Sequence, residues 1–100
     1  MVYAVAIDEL VFKEDFKGID SSDQQKIIKA IRKKLTTDPE RYGNPLKGNL
    51  KRLWKLRVGK YRAIYEVKAD KISVYVIKIG FRRDEEVYKE TLKRLYQLRK

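Results

Sequence analysis

Cysteine and histidine are both absent from this chain of 100 residues. Without thiols there are no disulfides and no thiolate metal sites, and no need of an oxidising compartment. Without imidazole the chain lacks the commonest general base near neutral pH and the commonest metal ligand, which excludes Ser-His-Asp triads, Cys-His pairs and histidine-based zinc sites. Long apolar runs are missing as well. The opening MVYAVAIDELVF is broken by Asp8 and Glu9 and has no basic leader, so neither a signal peptide nor a membrane span is expected, and a soluble cytoplasmic protein is the default. One hundred residues give a single domain, residues 1–100, that buries roughly 60–70% of the surface of its unfolded chain.

Acidic residues are scarce in one place. Overall, 25 Lys and Arg stand against 14 Asp and Glu, a formal charge of +11, and such an excess on a small body favours polyanionic partners. Between Arg41 and Tyr65 no acidic residue occurs, while Arg41, Lys47, Lys51, Arg52, Lys55, Arg57, Lys60 and Arg62 all do. A solubilising face is the plain alternative, but such faces usually intersperse both signs.

The hydrophobic pattern predicts a strand over residues 2–7, then a short helix from Asp8 or Glu9 carrying Phe12, Phe16 and Ile19. A second helix starts at Ser21 or Ser22, where Ser21-Ser22-Asp23-Gln24 fits a capping box, and its apolar stripe runs Gln24, Ile28, Ile31 and Leu35. TTDPERYGNP, residues 36–45, holds both prolines and reads as a loop. Two strands over residues 54–67, a turn at Ala69-Asp70, and a strand over 71–80 follow; that last strand is apolar on both faces and belongs inside its sheet. The tail DEEVYKETLKRLYQLRK forms a helix aligning Tyr88, Leu92 and Leu95. The fold class is α+β, a mainly antiparallel four-stranded sheet packed with two N-terminal helices and a C-terminal helix.

WKLRVGKYRAIYEV, residues 54–67, carries the chemistry. A two-residue turn at Gly59-Lys60 pairs Val58 with Tyr61 and Arg57 with Arg62, putting Lys55, Arg57 and Arg62 on one face. Like charges opposite each other destabilise paired strands. Lys55 falls diagonal to Arg62, about 7–8 Å apart between the two backbones, within reach for side chains this long. With a two-residue loop at Ala69-Asp70, Arg62 is expected opposite Ile77, and Phe81, Arg82 and Arg83 follow the strand end. Lys55, Arg57, Arg62 and Arg82 can thus surround one phosphate, for which the arginine fork is suited. Neighbouring cations disfavour the charged form of a lysine, so Lys55 is a candidate general base toward an RNA 2′-hydroxyl, with the arginines stabilising the transition state. Tyr88 either protonates the leaving 5′-oxygen, orients the phosphate, or packs in the core. Lys47, Lys51, Arg52, Lys60 and Arg83 steer phosphates, and Phe81 either stacks on a base or packs. Trp54 and Tyr65 read as core. Taken alone, these residues leave RNA cleavage and plain nucleic-acid binding both open.

LKG at 46–48, the hairpin at 54–67 and IGFRRDEEVYKE at 79–90 together resemble the RelE toxins of the RelE/ParE toxin–antitoxin superfamily, over nearly the whole chain. The resemblance implies a microbial RNase-like fold and cleavage of messenger RNA in the ribosomal A site by 2′-hydroxyl attack, leaving a 2′,3′-cyclic phosphate, without metal or cofactor. It implies Lys55 as general base, Arg62 and Arg82 as transition-state arginines, Tyr88 as the orienting tyrosine and Lys47 as an RNA contact. Arg57 stands where RelE proteins have a second lysine. The implied partners are an acidic, RelB-like antitoxin and the ribosome with its mRNA, with no membrane and no small-molecule substrate. A ParE-like toxin that binds DNA gyrase, or a nucleic-acid-binding module without catalysis, is the alternative; ParE proteins typically lack the Lys55, Arg82 and Tyr88 set.

Overall fold

The computed structural model describes residues 2–83 and 85–98; of the expected helical tail, Asp84, Arg99 and Lys100 lie outside the described residues. Five strands form one sheet in the order β1-β5-β4-β3-β2: β1 (Ala4–Ile7), β2 (Asn44–Pro45), β3 (Leu53–Val58), β4 (Tyr61–Lys68) and β5 (Ser73–Phe81). Among the described residues only the β1–β5 pairing is parallel. The α+β class holds, with a fifth strand where four were expected. That strand, β2, and the single helical turn α2 (Pro39–Tyr42) before it lie inside the segment expected to be a loop. Proline at the first helical position has no amide to lose, which lets Pro39 start a helix.

Helix α1 (Ser21–Leu35) packs on one sheet face and α3 (Glu86–Leu98) on the other. The alternation of β3 and β4 divides their side chains as expected: Leu56, Tyr61, Ala63 and Tyr65 join the α1 core, with Trp54 and Val58 packed beside them. Leu53 and Ile64 meet Ile77, Tyr88, Leu92 and Leu95 in the smaller core under α3.

Two local expectations change at the N-terminal end. The first helix is a single wide turn, Val11–Asp15, in which Phe16 N donates to Val11 O at 2.9 Å. The extra residue in that turn brings Val11 and Phe16 onto one side and turns Phe12 outward. Asp20, not a serine, caps α1, and Gln24 Nε2 reaches back to Ile19 O at 2.7 Å and Phe16 O at 3.0 Å, so no capping box forms.

The β4–β5 register also differs: Arg62 lies opposite Gly80, not Ile77. A turn over Ala69–Lys71, followed by Ile72 at φ 49°, delays re-entry until Ser73 pairs with Lys68. Tyr65 then pairs with Val76 but Ile64 with Lys78, so Ile77 is the extra residue of a β-bulge. The bulge aims both Ile77 and Lys78 toward α3.

Candidate active site on the cationic hairpin

Gly59, at φ +58°, takes the left-handed conformation that the tight β3–β4 turn needs. The pairs are Val58 with Tyr61, Arg57 with Arg62 and Lys55 with Ile64, so the three cations do share a face. Arg82 is tied to the same hairpin, its amide donating to Lys60 O at 2.8 Å. Gly80 opposite Arg62 has no side chain to offer, and a Cβ there would meet Val87 Cγ2 at 2.7 Å. The start of α3 therefore closes against the strand end and brings Tyr88 to the hairpin. The Arg62 guanidinium carbon lies 5.0 Å from the centre of the Tyr88 ring, a cation–π contact that offsets part of the repulsion from Arg57. Of the alternatives expected for Tyr88, packing is the one seen: it lies beside Leu92 and Leu95, with its ring also bordering Arg62.

Lys55, Arg57, Arg62 and Arg82 line one pocket of about 290 Å³, joined by Lys34, Tyr42, Asn44 and Leu56. Five of these eight residues are cations and none is acidic. Arg62 Nη1 is buried without a hydrogen-bond partner among the described residues. A buried charged donor left unpaired is costly, and the Tyr88 ring beside the guanidinium offsets part of that cost.

The other expected contacts separate by place. Lys60, Phe81, Arg82 and Arg83 surround an adjoining cleft of about 380 Å³ with Gly59. Phe81 is 49% exposed, its ring 5.4 Å from that of Tyr61. The Tyr61 hydroxyl is pushed up to about 12, first by donating to the Asp23 carboxylate at 2.8 Å and then by burial, so it stays protonated and anchors the hairpin tip to α1. Lys51 and Arg52 line a different cleft, of about 670 Å³, with Glu66, Leu92 and Tyr96; they are not part of the cationic pocket. Lys47 is exposed just before the short helical turn Gly48–Leu50. Lys34, Tyr42 and Asn44 are missing from the expected set; the available signal was an aromatic residue inside the acid-free window.

The family model for the ParE toxin of type II toxin–antitoxin systems, parDE, matches residues 10–86. The mRNA interferase toxin RelE of Escherichia coli K12 is 33% identical over 97 residues, 95% of this chain and 99% of that one. The chain belongs to the RelE/ParE family of type II toxins. Solved structures agree. The toxin–antitoxin complex RelBE2 of Mycobacterium tuberculosis superposes with a TM-score of 0.76 at 21% identity, covering 84% of this chain and 95% of that one, a likeness of fold. A double arginine-to-alanine variant of E. coli RelE bound to a peptide of the antitoxin RelB superposes with a TM-score of 0.64 at 32% identity, covering 90% and 94%. This RelE/ParE toxin therefore carries its cationic pocket on the fold that it shares with these relatives.

Proposed function

We propose that this toxin is a ribosome-dependent endoribonuclease that cuts messenger RNA in the A site. The observation that carries the reading is the acid-free pocket holding Lys55, Arg57, Arg62 and Arg82, with one buried Arg62 donor unpaired. Lys55 takes the proton of the 2′-hydroxyl. The freed oxygen attacks the adjacent phosphorus, a 2′,3′-cyclic phosphate forms, and the 5′-oxygen departs as a hydroxyl after taking a proton from water. The chemistry needs no metal, because the three arginines supply the positive charge that the crowded phosphorane demands. Each well-placed donor contributes roughly 10²- to 10³-fold. Tyr88 orients Arg62 under the phosphate, and Phe81 with Lys60 and Arg83 receives the chain where it leaves the pocket. The natural inhibitor is a RelB-like antitoxin with an acidic toxin-binding segment that covers or distorts this face, which keeps the toxin silent in the cytoplasm.

Incubating the purified toxin with translating ribosomes and mapping mRNA 5′ ends tests the reading. Codon-phased cuts that vanish in Arg62→Ala support it. The family model that matches is that of ParE toxins, and it favours one second reading, inhibition of DNA gyrase. Supercoiling blocked by the toxin with intact mRNA would establish that reading instead.

A further inference from the structure

The pocket is larger than one phosphate requires, and its outer wall comes from elements outside the hairpin. Lys34 stands in the last turn of α1, Tyr42 ends α2, and Asn44 pairs with Lys55 across the β2–β3 edge. Tyr42 is 48% exposed, which is unusual for so large a ring in so well-held a place. The turn that carries it is pinned from below: the buried Tyr65 hydroxyl donates to Pro39 O at 2.5 Å. Gly43 lies so close above the same hydroxyl that a Cβ would come within 1.8 Å of it. One side of the Tyr42 ring is taken by Lys34, whose Nζ is 5.8 Å from the ring centre.

A rigid, exposed aromatic with a cation at its flank, bordering a cationic pocket, has the composition of a single-strand RNA stacking platform. Tyr42 belongs to neither hydrophobic core among the described residues. We propose that Tyr42 and Lys34 form a second nucleotide subsite, Tyr42 stacking on the base next to the scissile phosphate and Lys34 holding the adjoining backbone phosphate. This rests on the nuclease reading above. The subsite sets the position of the RNA and takes no part in the proton transfers.

The test is single-turnover cleavage on programmed ribosomes, with the half-saturating toxin concentration separated from the maximal rate. Stacking energies imply that Tyr42→Leu raises the half-saturating concentration roughly 5- to 150-fold, with the maximal rate little changed. Tyr42→Trp, which keeps a larger π-face, restores binding. Wild-type toxin should also bind more weakly to mRNA carrying an abasic nucleotide beside the cut, and that penalty should vanish in Tyr42→Leu. A Tyr42→Leu toxin that binds like wild type, a Tyr42→Trp toxin as weak as Tyr42→Leu, or an mRNA in which no flanking abasic position weakens wild-type binding would each overturn the subsite. Failure of the wild type to cut at all would instead refute the nuclease reading. The abasic series needs only wild-type toxin, so a misfolded variant does not block the test.

Discussion

Lys55 and Arg57 point from the same face of β3, two residues apart, yet different chemistry is expected of each. An amine can act as a base once its proton is lost, whereas a guanidinium effectively never gives its proton up. Lys55→Arg should therefore lower cleavage by roughly 10²- to 10⁴-fold while ribosome binding persists, and Arg57→Lys should be tolerated. Near wild-type cutting by Lys55→Arg would reduce Lys55 to a phosphate clamp. The Arg57–Arg62 pairing makes a second expectation at this scale. Arg57 is exposed and faces a like charge, so Arg57→Ala should leave the melting temperature unchanged or slightly higher while cleavage falls sharply; a clear drop in melting temperature would give Arg57 a structural role. These residues were legible because a two-residue turn beginning at glycine allows one pairing, and strand alternation does the rest. Lys34 and Tyr42 were not, since their approach depends on Gly43 slipping over the Tyr65 hydroxyl, a long-range contact that no local pattern encodes.

Helix α3 is held by a buried ionic cluster that locks it to β5 and the wide N-terminal turn. The Asp15 carboxylate, fully buried, accepts from Arg94 Nη1 at 2.8 Å, Arg94 Nη2 at 3.0 Å, Lys78 Nζ at 2.9 Å and the amide of Ile79 at 2.9 Å. Arg94 also donates to Ile77 O, and Lys78 meets Glu90. Asp15 thereby caps β5 beyond the end of β1. Removing one member of a buried ion pair strands its partners, so Arg94→Ala should cost about 3–5 kcal/mol in urea unfolding. Loss of the same order is not expected at the exposed Lys89–Glu86 pair, 3.6 Å apart, where Lys89→Ala should stay within about 0.5 kcal/mol. Equal midpoints for the two variants would contradict the clamp. The sequence contained a hint: Lys78 interrupts an otherwise apolar interior strand, and a buried charge demands partners. Which partners it finds was hidden, because Asp15 and Arg94 lie in elements far apart along the chain. The β4–β5 register was unreadable for a different reason. Ile72 occupies a left-handed conformation that turn rules reserve for glycine or asparagine, and the Ile77 bulge leaves no mark on composition. Strand β2 is only two residues long, too short for alternation to register.

As a whole the molecule is a strongly basic body with no histidine or cysteine, so no side chain with an ordinary pKa titrates between about pH 6 and 8. Its stability should be flat there and fall on the alkaline side. Burial, then a hydrogen bond to Asp8, pushes the Tyr75 hydroxyl up to about 12, and burial raises Tyr65 further. The unfolded chain releases these protons near pH 10 while the folded chain keeps them, so it binds fewer protons than the native state and stability declines as pH rises from about 10 toward 12. Urea midpoints measured across that range should fall, and less so in Tyr75→Phe; equal slopes for the two proteins would show that Tyr75 has no part in it. The same lack of histidine leaves the proposed cleavage dependent on lysine and arginine, with the RNA's own hydroxyl as the proposed nucleophile. The most direct measurement is therefore cleavage of an mRNA bearing a single 2′-deoxy nucleotide at the mapped cut, on programmed ribosomes. The proposed chemistry predicts that the cut at that position disappears while the unmodified mRNA yields 5′-hydroxyl and 2′,3′-cyclic phosphate ends. Cleavage that survives the deoxy substitution, or leaves 5′-phosphate ends, would contradict it.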